Sequence, residues 1–219
     1  MSTFLFVIAA LVVLGLLLRW RGSMLLRALF HPLTERGRLS FFDAYPIASE
    51  DVVLFGDSIS AGGQWEEIAP QVQIKNRGIG GDLSDDVLKR LEPIAEGLPD
   101  KVFVQIGTND LGIGVAPERI LANLESIVDR FQEAAPETRI YLHELFPTKA
   151  RRADGIRALN AEISQLAETR SLPIVRVFDH FSDDHGAIRD EYTYDNLHLT
   201  GVGYQEWYTL LEPYLLEER

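Results

Sequence analysis

The chain has 219 residues, 46% of them hydrophobic, which suits one well-buried domain and is too little for two of ordinary size. Its 33 acidic residues outnumber 21 basic ones for a formal net charge of −12, and Lys and Arg are nowhere concentrated in the folded region, which argues against the basic face that nucleic-acid binding needs. The absence of cysteine excludes disulfides, thiolate metal sites and a cysteine nucleophile.

In chain order, the first element is an uninterrupted apolar run with one glycine, Phe4 to Leu18, which Thr3 and Trp20 extend toward the roughly 17–25 residues of a membrane span. Only Met-Ser-Thr precedes it, and it ends in Arg19-Trp20-Arg21 in place of a small-x-small cleavage site. Residues 1–22 are therefore assigned as an uncleaved single-pass anchor in preference to a signal peptide. Arg19, Arg21 and Arg27 follow the span and no Lys or Arg precedes it. The positive-inside rule then places the folded domain in the cytoplasm, with a periplasmic or extracellular location as the alternative. Residues 23–38 read as an amphipathic stretch, suited to a membrane surface or to an ordinary connecting helix. They end in a linker from His31-Pro32 through Thr34 to Arg38, so that the folded domain spans 39–219.

From Asp51 onward, short apolar runs rich in β-branched residues alternate with segments of helical periodicity. Strands are predicted at Val52–Phe55, Val72–Asn76, Val102–Ile106, Ile140–Leu145 and Ile174–Phe178. Between them lie apolar stripes at helical spacing: Leu83 to Ile94, Ile120 to Phe131 and Ile156 to Leu166, with a last helix from Gly201 to Leu216. Alternating strands and helices imply a parallel sheet, because each crossover needs a helix to bring the chain back to the same edge; the fold class is a three-layer α/β/α sandwich. In such sheets ligands bind beyond the carboxyl ends of the strands. Three segments fall there: Gly56-Asp57-Ser58, Gly78 to Asp82, and Gly107 to Asp110.

A serine hydroxyl becomes a useful nucleophile when a base takes its proton, and the base needs a third group to orient it. Of the five histidines, His198 has an Asp three residues before it, Asp195, a spacing that lets both side chains project from one side of a turn. His31 falls in the linker, His143 in a strand, and His180 and His185 flank an acidic loop that reads as solvated; a metal site from His180, Asp183, Asp184 and His185 matches no familiar zinc spacing. Taken alone, Gly56-Asp57-Ser58 is a weak tripeptide that favours a turn in which Ser58 or Ser60 caps the next helix. The Gly-x-Ser-x-Gly elbow of α/β-hydrolases is absent.

Four segments taken in order are more specific: Val53-Leu54-Phe55-Gly56-Asp57-Ser58, Asn76 to Asp82, Gly107 to Asp110, and Asp195-Asn196-Leu197-His198. Together they resemble the SGNH (GDSL-type) hydrolase family over residues 50 to 208. Ile79 to Asp82, Tyr194 to Leu199 and the Gly201 to Tyr204 stretch are most similar to the branch of platelet-activating-factor acetylhydrolase subunits and bacterial GDSL lipases and acylhydrolases. The resemblance implies a flavodoxin-like five-stranded fold, Ser58 as nucleophile, His198 as general base and Asp195 as its orienter. It also implies an oxyanion hole of the Ser58 N–H, Gly81 (with Gly80 as second choice) and Asn109. The implied activity is hydrolysis of lipid-derived or small acyl esters through an acyl-enzyme, with no cofactor or metal. An acyltransferase and a membrane-tethered, non-catalytic binding module are the alternatives, and the oligomeric state is left open.

Overall fold

The computed structural model describes residues 27–217. Five parallel strands, β1 Val52–Gly56, β2 Ile74–Gly78, β3 Lys101–Gln105, β4 Arg139–His143 and β5 Ile174–Val175, form one sheet in the order β2-β1-β3-β4-β5. Described helices are α1 over residues 27–44, α2 Ser58–Gly62, α3 Trp65–Ile68, α4 Ser84–Lys89, α5 Glu92–Ala95, α6 Thr108–Ile113, α7 Pro117–Ala134, α8 Ala153–Thr169, α9 Phe178–Phe181 and α10 Gly201–Leu215.

Strand side chains alternate between two apolar clusters, as a strand buried on both faces requires. In β1, Val53 and Phe55 face the cluster that holds Ile120, Leu124 and Phe131 of α7 and Ile156, Leu159 and Ile163 of α8. Val52 and Leu54 face the other, built around Trp65, Tyr204, Trp207 and Leu211. Trp207 is 1% exposed and packs edge-on against Trp65 and Phe146, so its truncation to Ala would cost about 3–5 kcal/mol. Lys101 opens β3 almost fully buried. Its Nζ donates to the carbonyls of Tyr214, Leu215 and Glu217 at 2.8, 2.7 and 2.7 Å, which satisfies acceptors left open at the end of α10.

Several elements differ from the sequence expectation. β2 starts at Ile74, because the Val72 N–H is used in a turn onto the Ala69 carbonyl at 3.0 Å. β5 stops at Val175, since the Val177 and Phe178 N–H groups donate to the Glu144 carboxylate at 2.9 and 3.0 Å instead of extending the ladder. The stripe from Leu83 to Ile94 is split into α4 and α5, the second opening with Pro93 in its first turn. The linker expected through Thr34 to Arg38 is helical: Arg38 donates to the carbonyls of Asn76 and Gly78 at 2.9 and 3.0 Å, and Arg38 and Arg77 lie over the Phe42 ring. Arg38 looks solvated in one dimension because its partners are backbone carbonyls about forty residues away.

The membrane localisation is corrected. No helix among the described residues is long and apolar enough to cross a membrane. The expected N-terminal hydrophobic helix, residues 1–22, lies outside the described residues.

Candidate active site

β1 pairs with β2 on one side and β3 on the other, so the loops leaving these three strands open at one crevice. Ser58 opens α2 directly after β1. The cap of this helix is Asp57, whose Oδ1 accepts the Ile59 N–H at 2.9 Å, and not Ser58 or Ser60. β2 runs into a turn through Gly80 and Gly81, the latter at φ +84°, a conformation that favours glycine. β3 runs into Gly107, at φ +129°, which turns the chain into α6 and puts Asn109 in its first turn.

Asp195 and His198 come from a tight loop before α10. Asn196 takes φ +65°, and the fold-back lets Asp195 Oδ1 accept the N–H groups of Leu197 and His198 at 3.0 and 2.7 Å. The other carboxylate oxygen meets His198 Nδ1 at 2.7 Å, and His198 Nε2 meets Ser58 Oγ at 3.0 Å. Partial burial pushes Asp195 up, but the hydrogen bonds from the His198 ring and backbone outweigh it and hold the carboxyl below its ordinary range. An ionised Asp195 only accepts, so Nδ1 carries the ring proton and Nε2 is free to accept the Ser58 hydroxyl.

Behind these residues lie three buried carboxylates, Asp57, Asp82 and Asp110, each adjacent in sequence to a predicted site residue. Asp110 accepts both the N–H and the hydroxyl of Ser84, tying the β3 loop to the segment after β2. Asp82 is held by Arg90 Nε and by His31 Nε2, both at 2.7 Å, and its backbone carbonyl accepts from Asn109 Nδ2 at 3.0 Å. Arg90 also donates to the carbonyls of Arg77 and Gly56 at 2.7 and 2.8 Å. Burial raises all three carboxyls, Asp57 to about 7, and in Asp82 acts against Arg90 and His31. Sequence reasoning missed this brace; the available signal was the recurrence of Asp beside each site residue.

The other histidines are engaged elsewhere. His31, read as a linker residue, is buried against Asp82. His143 accepts from Trp207 Nε1 at 2.7 Å, and burial lowers its pKa to about 4, so it is neutral. His180 pairs with Glu206, and the Asp183 carboxylate accepts the N–H groups of His185 and Ala187. Among the described residues His31, Asp82 and Asp86 bring three metal-type donors together, but Arg90 and Arg27 already partner the two carboxylates. The grouping is an ion-pair cluster.

Two clefts differ in their relation to these residues. The larger, about 790 Å³, runs along β2 and the segment after α2 and is lined by none of Ser58, Asp195, His198 or Asn109. A smaller one, about 280 Å³, is lined by Gly80, Gly81 and Asn109 and by residues of α1. Ser58, Asp195 and His198 do not line the smaller cleft either, but it adjoins the Ser58 turn through Gly80, where a Cβ would stand 3.8 Å from the Ser58 Cβ.

The model of the GDSL-like lipase/acylhydrolase family matches residues 54–206. The chain is similar to platelet-activating factor acetylhydrolase IB subunit alpha2 of Homo sapiens, 32% identical over 166 residues that cover 70% of this chain and 71% of that protein. A structure from Streptococcus pneumonia, provisionally assigned as a platelet activating factor, superposes with a TM-score of 0.78 at 28% identity over 89% of this chain and 98% of its own. A GDSL-like lipase from Bacteroides thetaiotaomicron shares the fold with a TM-score of 0.68 at 24% identity, over 76% and 87% of the two chains. With its family blocks borne on the strand ends of a five-stranded parallel sheet, the chain belongs to the GDSL-like lipase/acylhydrolase family and is a carboxylic ester hydrolase.

Proposed function

We propose that the chain is a serine esterase that works through an acyl-enzyme on small acyl or lipid-derived esters. The observation that carries this reading is the continuous relay from Asp195 through His198 to Ser58, at 2.7 and 3.0 Å. In the first step His198 Nε2 takes the Ser58 proton as Oγ bonds to the ester carbonyl carbon, and the carbonyl oxygen becomes an oxyanion. The Ser58 and Gly81 N–H groups and the Asn109 amide are its donors, and Asp195 offsets the charge on the imidazolium. The tetrahedral species collapses as His198 returns the proton to the departing alkoxide. Water then repeats the sequence against the acyl-enzyme, releasing the acid and restoring Ser58.

The acetylhydrolase relatives support small acyl groups, and the GDSL-like lipases of similar fold support longer ones. Ser58→Ala tests the reading. Hydrolysis of p-nitrophenyl butyrate should fall by about 10³-fold or more, and labelling by a fluorophosphonate should vanish, while Ser60→Ala keeps the label. A Ser58→Ala protein within about tenfold of the parent rate removes Ser58 as nucleophile.

A further inference from the structure

Resting on the esterase reading above, we propose that the cavity between α1 and the turns bearing Gly81 and Asn109 receives the acyl chain of the ester, with α1 as its outer wall. The argument begins with handedness about the reacting carbon. His198 must protonate the departing oxygen, so the alcohol portion lies on the His198 side of Ser58, and the acyl chain leaves on another. The cavity is lined by Gly80, Gly81 and Asn109 and by neither Ser58 nor His198; Gly80 lies against Ser58, since a Cβ there would stand 3.8 Å from the Ser58 Cβ, so the cavity opens beside Ser58 at the oxyanion donors and away from the His198 ring.

Its chemistry fits an apolar occupant. Phe30, Leu83 and Ile113 supply hydrocarbon walls. The polar groups around them are already committed to the protein: Arg27 Nε donates to the Gly81 carbonyl at 3.0 Å and its NH2 pairs with Asp86, and His31 Nε2 pairs with Asp82. The Asn109 amide bonds the Asp82 carbonyl. An anionic or sugar-like group entering here would find few uncommitted partners, whereas methylenes need none. The volume, about 280 Å³, leaves room for a short to medium acyl chain. The hydrogen bonds of Arg27, His31 and Arg38 to the β2 loop fix α1 in place as a wall.

Thr34 supplies the test. It is exposed, and its hydroxyl bonds back to the Phe30 carbonyl within the same helix, so a large side chain can be placed there without breaking a tertiary hydrogen bond. The full-length chain, Thr34→Trp and Phe30→Ala are compared for kcat/KM on p-nitrophenyl acetate and octanoate. Fluorophosphonate labelling of each variant reports an intact Ser58 site. Since each methylene buried is worth roughly fourfold, blocking the cavity with Trp should lower the octanoate-to-acetate ratio by about tenfold or more. Phe30→Ala should lower it by about fourfold, through loss of one wall. A ratio within about twofold of the parent in both labelled variants overturns the proposal, as does a parent enzyme that hydrolyses acetate and leaves octanoate untouched. If no acyl ester is turned over in a Ser58-dependent way, the esterase reading falls first and this inference with it.

Discussion

Replacement of Asn109 by Ala separates a transition-state donor from a structural bond. The amide nitrogen has two hydrogens. One is used at 3.0 Å on the Asp82 carbonyl, which fixes the plane of the amide; the second has only the distant Asp57 Oδ2 at 3.4 Å and is available to a developing oxyanion. Loss of one such donor raises the barrier by roughly 2.7–4 kcal/mol, so kcat should fall by about 10²- to 10³-fold with KM nearly unchanged, because the donor engages mainly the tetrahedral state. The bond to Asp82 is also lost, at about 1 kcal/mol, which in a chain of this size lowers Tm by roughly 2–4 °C. Purified protein is assayed for kcat and KM on p-nitrophenyl acetate and for Tm by calorimetry. A kcat within about tenfold of the parent, together with the small drop in Tm, would refute the donor role and leave Asn109 as a brace for the β2 loop.

Asp195→Asn should lower kcat by about 10³- to 10⁴-fold without unfolding the protein, since its side chain is 40% exposed; steady-state rates and circular dichroism check both, and a neutral effect removes it as the orienter of His198. Asp57, 1% exposed, has its pKa raised to about 7 by burial, so its folded-state value lies above that of the unfolded chain. The native state then holds the proton more tightly, and stability should fall as pH rises from about 4 to about 7, by on the order of 4 kcal/mol at most. Asp57→Asn should therefore gain Tm over the parent at about pH 8 and show no such gain at about pH 4; an equal effect at both contradicts the argument. Arg90→Met removes the donors that the guanidinium gives to the Asp82 carboxylate and to the carbonyls of Arg77 and Gly56, and the urea midpoint should drop by an amount worth about 3–5 kcal/mol. An unchanged midpoint would show that Asp82 is held by His31 alone.

The sequence by itself determined the layers and the ends of the strands that matter. The continuous apolar run Val52, Val53, Leu54 and Phe55 and the stripes of α7 and α8 are local patterns, and local patterns survive reading in one dimension. The site blocks stood out only when taken together and in order, through their resemblance to the SGNH family; what the structure adds is that each sits at a turn, as at Gly107 before Asn109 and Asn196 between Asp195 and His198. Tertiary structure alone decided what depends on partners distant in the chain. Val177 and Phe178 leave the sheet because Glu144 takes their N–H groups, and Thr34 to Arg38 stay helical because β2 offers carbonyls to Arg38. The same holds for His31, whose burial depends on Asp82, 51 residues on. Charge and polarity in a sequence state what a side chain can bond; only the fold states whether water or a buried carboxylate answers, and that difference separates a solvated linker from a wall of the site.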